Sequence, residues 1–550
     1  PSPHTPNWES LSTWVYPRNP SIRSYQFAIV RRALFENTLA AVPTGMGKTL
    51  IAAVVMANYR RWFPDARVLF MAPTRPLVRQ QLGACSRFMG MHSSEACELT
   101  GQEPQHRRKA LWNQYHAFFC TPQVVENDIR NGLLPAGGIV CLVVDEAHKA
   151  SGNYAYVQVV RALEGKHVRI LALTATPGRD PLAVQAICDH LRISHVEMRS
   201  EASVDVQSYQ HARTKDRVIV RTQGTLVGEL ENALVDMMQP GVTRLQRAGI
   251  LNQANPRYIT AYGLVQAMSR SRAWAGRERS GAIGKHMGDY GILHRLAGGM
   301  SHLLIHGIRQ FQNHMQEWVD SSMAGKGSRT QVQFVLQPTF QRFWTRVQAA
   351  CADPSVLGHP KMDPLVQILL EHFSTAKDEA RSRGDAEEDT RVMIFSHYRS
   401  SVQEITQILN SHSPLIRPMA FVGQSTKKGS QARMTQKLQL ETIRQFKRGQ
   451  HNCLVATCVG EEGLDIGDVD LIICFDAQAS PTRSIQRMGR TGRKRAGRVV
   501  MLLTAGKEEN KAMKADTGYQ NVQQYVREGR LTLSPGNPRI LPDGVRPTCE

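Results

Sequence analysis

One short segment carries residues that could grip a nucleoside triphosphate. It lies between an apolar run at residues 39–42 and a predicted helix at residues 50–59, and it comprises Pro43, Thr44, Gly45, Met46, Gly47, Lys48 and Thr49. Backbone N–H groups at a helix N-terminus bind phosphate, and glycines let the backbone approach it closely. We therefore predict that these residues bind ATP, with Lys48 on the β- and γ-phosphates and the Thr49 hydroxyl on Mg²⁺.

A second segment supplies adjacent carboxylates, Asp145 and Glu146, directly after the apolar run at residues 139–144. The run predicts a buried parallel strand, and open α/β sheets bind ligands at the carboxyl ends of their strands. Because Mg²⁺ keeps most of its own waters, one carboxylate is enough to hold it. We predict that Asp145 holds Mg²⁺ and that Glu146 orients the attacking water and accepts its proton.

A third segment could deliver positive charge to the transition state. It contains Gln486, Arg490 and Arg493, and the two arginines share a face if the segment is helical. Arginines in this role accelerate related hydrolases by roughly 10³–10⁵. The alternative is a basic helix that faces nucleic acid. If the arginines do reach the phosphates, hydrolysis requires two domains to close on one nucleotide.

The elements that would position these residues form an α/β pattern on both sides of a helical region. Short apolar runs alternate with helical stretches over residues 8–220 and again over residues 358–550, which predicts two doubly wound parallel-sheet domains. Residues 221–357 show helical spacing, which predicts an all-helical insert. Residues 211–350 carry a charge of roughly +10. This favours an insert that clamps nucleic acid over one that only packs.

Composition narrows the class of protein further. The chain has 550 residues and a net charge of +21, which favours a polyanionic partner. No apolar run reaches the roughly 18 residues that a membrane span needs, so we expect no membrane association. The ten cysteines include no C-x-x-C pair, so neither zinc nor a disulfide framework is expected. Since the sequence starts at Pro1 rather than Met, we expect it to be part of a longer protein.

These motifs, in this order, resemble those of superfamily 2 helicases, and the resemblance implies two RecA-like domains. It implies that Arg23 and Gln26 bind adenine and that Asp465 lies near the ribose. It also implies backbone contacts to nucleic acid and residues that couple hydrolysis to movement. The implied nucleic-acid contacts are Arg75, Thr121, Gln123 and Thr457, and the implied coupling residues are His148, Thr174 and Thr176. Such contacts position the strand without selecting a sequence.

Longer strings resemble the Fanconi anaemia group M helicase family. They are A-P-T-R-P-L-V-R-Q-Q at residues 72–81, H-K-A-S-G-N-Y-A-Y at residues 148–156 and E-E-G-L-D-I-G-D-V-D-L-I-I-C-F-D at residues 461–476. The resemblance implies ATP-dependent 3′→5′ DNA translocation on forks, D-loops and Holliday junctions, in the nucleus, with the insert on branched DNA. Archaeal relatives carry a nuclease domain, but the E-R-K-x-x-x-D string is missing here, so nuclease activity is not predicted.

Two alternatives differ in class. A motor on double-stranded RNA would share the helical insert, although the sensors of this kind also carry a cysteine-rich zinc domain that this sequence lacks. A non-catalytic scaffold would bind ATP only to switch shape. Retention of Lys48, Asp145, Glu146, Arg490 and Arg493 argues against the scaffold, since it has no need of a water-activating glutamate.

Overall fold

A computed structural model describes most of the chain. The residues described are 3–19, 22–92, 95–209, 213–274, 284, 286–383, 390–423, 434–457, 466–477, 491, 496–536 and 539–550. Over these ranges, no helix combines the length and the apolar character needed to cross a membrane.

The first lobe, residues 22–209, is built on a parallel sheet. Strand β1 (Thr13–Trp14) precedes it, and the sheet strands are β2 (Thr38–Ala41), β3 (Arg67–Met71), β4 (Ala96–Leu99), β5 (Ala117–Cys120), β6 (Ile139–Val144), β7 (Arg169–Thr174) and β8 (His195–Met198). Their order is β4-β5-β3-β6-β7-β2-β8, and every pairing is parallel. Every residue of β2, β5, β6 and β7 is buried, as expected for strands covered on both faces.

Helices cover both faces of this sheet. They are α1 (Ser24–Ala33), α2 (Lys48–Trp62), α3 (Arg75–Met89), α4 (Gln105–Gln114), α5 (Pro122–Arg130), α6 (Ala155–Ala162), α7 (Pro181–His190) and α8 (Val204–Gln207). Strand β3 shows the two faces clearly. Val68 and Phe70 join the core beneath α1 and α2, whereas Leu69 and Met71 join the core beneath α6 and α7. The predicted doubly wound α/β fold is confirmed for this lobe.

The second lobe is another parallel sheet, of six strands. They are β9 (Arg213–Val220), β10 (Val392–Phe395), β11 (Pro418–Phe421), β12 (Cys453–Ala456), β13 (Leu471–Cys474) and β14 (Gly497–Thr504), in the order β11-β12-β10-β13-β14-β9. Strand β9 pairs with β14 over its whole length. The predicted boundary at residue 220 was therefore wrong: residues 213–220 form the edge strand of the second sheet rather than the end of the first domain.

The helical insert lies between β9 and the rest of the second lobe. Its described helices are α9 (Leu226–Arg247), α10 (Ala261–Trp274), α11 (Met287–His306), α12 (Ile308–Met323), α13 (Arg329–Val335) and α14 (Pro338–Ala352). They share one apolar core, in which the long helices α9 and α11 lie side by side. Helices α15 (Met362–Arg383), α16 (Arg399–Asn410) and α17 (Gln436–Lys447) then belong to the second lobe.

The end of the chain returns to the first lobe. Helix α18 (Lys507–Arg527) starts against β14, but its residue Val522 joins the core of the first lobe. Further on, Ile540 and Leu541 are buried against α1 and α2, and strand β15 (Thr548–Cys549) pairs with β1. The predicted second domain, residues 358–550, was therefore too long, because the apolar side chains near its end are buried on the first lobe.

Candidate active site

The phosphate loop follows β2 at the edge of the first sheet where its strands end. Gly45 and Gly47 have φ angles of 85° and 78°, in the left-handed region that favours glycine. A Cβ at Gly47 would also lie 2.0 Å from Nε2 of Gln26, so only glycine fits there without rearrangement. Helix α2 starts at Lys48, whose Nζ donates to the carbonyl oxygen of Val42 at 3.1 Å. The loop therefore has the glycine conformations and the helix start that phosphate binding requires, while its contacts with ATP stay a prediction.

Helix α1 supports this loop from behind. Gln26 Nε2 and the Tyr25 hydroxyl both donate to the carbonyl oxygen of Met46, at 3.0 and 2.8 Å. Arg23 contacts the Tyr25 hydroxyl at 3.3 Å, and its guanidinium lies 5.2 Å from the ring centroid of Tyr209. The segment predicted to bind adenine thus adjoins the phosphate loop, while the adenine contacts of Arg23 and Gln26 stay a prediction.

The acidic pair follows strand β6. Asp145 is 4% exposed, and its backbone N–H donates to the carbonyl oxygen of Met71 at 2.9 Å, which continues the pairing of β6 with β3. Glu146 has a φ of 51°, a backbone conformation that residues other than glycine rarely adopt. Strain of this kind concentrates at functional sites because the surroundings impose it. Here it turns the chain sharply after Asp145 into the short helical turn at Ala147–Lys149.

The surroundings of Asp145 make the ionised form of its carboxyl group unfavourable. Burial, followed by repulsion from the Glu146 carboxylate, raises the pKa of Asp145 from 3.8 to about 7, although the Lys48 ammonium opposes the shift. A divalent cation bound to this carboxylate would favour its ionised form. The raised pKa is therefore a property expected of a carboxylate whose partner is a metal ion.

One amide links the two predicted metal ligands. The Thr49 hydroxyl donates to Gln81 Oε1 at 2.9 Å, and Gln81 Nε2 lies 3.5 Å from Asp145 Oδ2. A hydroxyl and a carboxylate are the oxygen ligands that Mg²⁺ prefers, and it completes its shell with water and substrate phosphate. The residues present therefore fit Mg²⁺, which Thr49 and Asp145 would hold.

A chain of polar contacts runs from Glu146 to strand β7. His148 Nδ1 lies 3.4 Å from Glu146 Oε2 and 3.3 Å from Thr174 Oγ1. Thr174 Oγ1 in turn donates to the carbonyl oxygen of Thr176 at 2.6 Å and accepts from the Thr176 N–H at 3.2 Å. The predicted coupling residues therefore form one contact path to the predicted base, while their role in coupling stays a prediction.

Comparisons with known proteins show which proteins this chain resembles. Residues 19–179 match the family model described as type III restriction enzyme, res subunit, and residues 365–495 match the helicase conserved C-terminal domain. The ATP-dependent DNA helicase mph1 of Aspergillus fumigatus is 44% identical over 100% of this chain and 50% of its own length. That of Neurospora crassa is 43% identical over 100% of this chain and 47% of its own length.

A solved structure agrees in fold. The Hef helicase domain of Pyrococcus furiosus matches with a TM-score of 0.64 and 29% identity, over 89% of this chain and 97% of that one. The chain therefore resembles the superfamily 2 helicases of the Fanconi anaemia group M family over its whole length. It spans about half the length of the curated relatives it matches.

The nucleic-acid contacts implied for this helicase family lie at the same edges of the two sheets. Arg75 is exposed at the first position of α3, and Thr121 and Gln123 lie at the start of α5, after β5. Thr457 follows β12 in the second lobe, and its backbone N–H donates to the carbonyl oxygen of Phe421 at 3.1 Å. All four follow the carboxyl ends of strands, where ligands bind in open α/β sheets. Their contacts with nucleic acid stay predictions.

Four predicted site residues of this chain lie outside the described residues: Asp465, Gln486, Arg490 and Arg493. Their roles at the ribose and the phosphates stay predictions from the sequence.

Gln81 is the site residue to which sequence reasoning gave no role. Its helix α3 buries Leu77, Val78 and Cys85. Residues 77, 81 and 85 are spaced by four, so they share one helix face. A glutamine on an otherwise apolar face was the available signal.

Proposed function

We propose that this chain uses ATP hydrolysis to move 3′→5′ along DNA and thereby remodels branched DNA such as forks, D-loops and Holliday junctions. The observation that carries the proposal is the joint placement of Lys48, Thr49, Asp145 and Glu146 at one edge of the first sheet. Relatives named ATP-dependent DNA helicase, which align over the whole chain, support the same assignment.

Each residue has a chemical task in this mechanism. The N–H groups of the phosphate loop and the Lys48 ammonium bind the phosphates, and Thr49 and Asp145 hold Mg²⁺. When bound, Mg²⁺ neutralises charge on the phosphate oxygens. Glu146 orients the attacking water and accepts its proton, and the nearby His148 ring, at 3.4 Å from Glu146 Oε2, fixes that carboxylate.

The second lobe completes the reaction in this proposal. Arg490 and Arg493 deliver positive charge to the γ-phosphate when the lobes close, and Asp465 contacts the ribose. Closure then brings Thr457 nearer to the strand contacts of the first lobe, Arg75, Thr121 and Gln123. Opening after hydrolysis would shift one set of backbone contacts relative to the other, which moves the chain along DNA without selecting a sequence.

The helical insert acts as a clamp that travels with the second lobe. The carbonyl oxygen of Leu304, near the end of α11, lies 2.9 Å from His359 Nε2 and accepts from the Thr504 hydroxyl at 2.8 Å. These contacts fix the insert to β14 and to the segment before α15.

The basic exterior of the insert would follow the phosphate backbone of a DNA branch. We propose nuclear chromosomal DNA as the substrate.

A rate comparison tests the proposal. ATP hydrolysis by the 550-residue chain is measured with fork DNA, linear duplex DNA, single-stranded DNA or duplex RNA. We expect fork DNA to stimulate most. Glu146→Gln should lower kcat by about 10²–10⁴ while ATP still binds, because general base catalysis contributes that range. As a control, Glu9→Gln, at an exposed glutamate near the start of the chain, should leave the rate unchanged.

Other outcomes would redirect the assignment. Strongest stimulation by duplex RNA would replace DNA as the substrate, and normal turnover by Glu146→Gln would remove Glu146 from the role of base. Partial duplexes with a 3′ or a 5′ single-stranded arm test polarity. Displacement that requires the 5′ arm would contradict 3′→5′ movement.

A further inference from the structure

We propose that Gln81 is a positioning residue that orients both protein ligands of the divalent cation, an inference that rests on the proposed ATP-hydrolysing function. Its amide lies between the Thr49 hydroxyl and the Asp145 carboxylate, at 2.9 Å and 3.5 Å. Thr49 lies in the first turn of α2, and Asp145 directly follows β6. Gln81, on α3, therefore connects two elements that carry one ligand each.

The direction of these hydrogen bonds decides what they do. The Thr49 hydroxyl has one proton, which it donates to Gln81 Oε1, so its oxygen lone pairs are directed elsewhere and can bind a cation. Asp145 Oδ1 accepts the N–H of Glu146 at 3.0 Å, while Oδ2 faces the Gln81 amide. A side-chain amide can accept from a hydroxyl and donate to a carboxylate at the same time, which an apolar side chain of equal size cannot do.

The packing of α3 holds Gln81 in this place. Leu77, Val78 and Cys85 are buried on the same helix, and Cys85 Sγ lies 3.8 Å from the carbonyl oxygen of Thr49. Helix α3 is therefore held in the core of the first lobe on both sides of Gln81, and against the first turn of α2 at Cys85. Partners that hold metal ligands from outside the coordination shell contribute about 10–100-fold to metal affinity. The same range is expected here.

The test measures metal binding rather than turnover. Mn²⁺ affinity of the 550-residue chain is determined by electron paramagnetic resonance at saturating ADP, and ADP affinity is measured separately in a chelator. Gln81→Met preserves volume but removes both hydrogen bonds. We expect it to weaken Mn²⁺ binding about tenfold or more, with metal-free ADP affinity within about twofold of the parent. Gln80→Met, at the exposed neighbouring glutamine, should match the parent in both measurements.

Three results would overturn the inference. Gln81→Met could bind Mn²⁺ as the parent does, Gln80→Met could lose the same affinity, or metal-free ADP binding could fall by the same factor, which would indicate a general structural role. If Gln81→Met does not fold, Gln81→Asn, which retracts the amide by one methylene, should show the loss instead. A parent chain that binds neither ADP nor Mn²⁺ with ADP would instead refute the proposed function itself.

Discussion

The two lobes each bury a carboxylate, and they treat its charge differently. In the second lobe, Lys361 and Glu508 form an ion pair with side chains 0% and 1% exposed. The Glu508 carboxylate also accepts the N–H groups of Ala477 and Thr504, at 2.9 and 2.8 Å, and Lys361 Nζ donates to the Phe475 carbonyl oxygen at 2.7 Å. In the first lobe, burial raises the pKa of Asp145 to about 7.

The difference distinguishes Glu508, whose charge is compensated by groups of the chain itself, from Asp145, whose charge would be compensated by a bound ligand. Burying an ion is costly unless a counter-ion and hydrogen bonds compensate it. Glu508 receives both from the chain itself, so we interpret it as structural. Asp145 gains from Lys48 too little to offset burial and the Glu146 charge. A perturbed carboxylate of this kind in a cleft is characteristic of functional sites.

The largest effect is expected when the cation of the buried pair of Lys361 and Glu508 is removed. Lys361→Met keeps most of the volume but leaves the Glu508 charge buried, so the second lobe should lose about 3–5 kcal/mol of unfolding free energy. Urea denaturation measures the loss. The double variant Lys361→Met/Glu508→Gln should recover part of it, because no uncompensated charge remains. A single variant within about 1 kcal/mol of the parent would contradict the structural interpretation.

The second prediction is that a substitution at Asp145 increases the free energy of unfolding instead of lowering it. The folded pKa of Asp145, about 7, lies above the ordinary value of 3.8, so the stability that Asp145 contributes is complete below about pH 4 and is lost as pH rises to about 7. Asn does not titrate, and the Gln81 amide can turn over to accept its N–H. In chelator, Asp145→Asn should therefore be more stable than the parent by about 2–4 kcal/mol above pH 7.

Thermal unfolding across pH 5–8.5 checks this prediction. The advantage of Asp145→Asn should shrink as pH falls toward 5. Asp65→Asn, at an exposed aspartate of the same lobe, should show no such trend. An Asp145→Asn variant that is less stable than the parent at pH 8 would mean that Asp145 is already compensated, as Glu508 is.

The smallest effect tests the attachment of the insert. Thr504→Val removes the hydroxyl that donates to the Leu304 carbonyl oxygen and should cost about 1 kcal/mol in urea denaturation. Thr345→Val removes a similar bond, to the Gln341 carbonyl oxygen, at an exposed helix position and should cost less. Equal losses would show that the bond to Leu304 adds nothing special to the junction.

Local patterns were enough to predict the strand and the loop that carry the candidate site. The apolar run at residues 139–144 followed by two carboxylates, and the glycines before Lys48, are signals contained in single elements, and the structure places both where the strands end. The helical spacing of the insert was equally local. The positions of these elements were predictable because secondary structure and the sheet edge together determine where such residues lie, while the catalytic roles stay predictions.

Contacts between residues far apart in the chain could not be predicted from the sequence. Strand β9 reads R-T-K-D-R-V-I-V, and its first five residues are polar, as is common in an edge strand. Nothing in this sequence says which sheet the strand joins. Gln81 gains its place only when α3 packs against α2. The pairing of Lys361 with Glu508 spans 147 positions. Each depends on tertiary packing, which periodicity does not encode.

The return of the backbone to the first lobe has a mechanical consequence. The chain passes from the first lobe to the second between Tyr209 and Arg213, and it passes back along α18, whose residue Val522 is buried in the first lobe. Two separate passages allow rotation of one lobe against the other but limit how far they can part. A single proteolytic cut after Tyr209 should leave both halves associated, and they should separate only when α18 is cut as well.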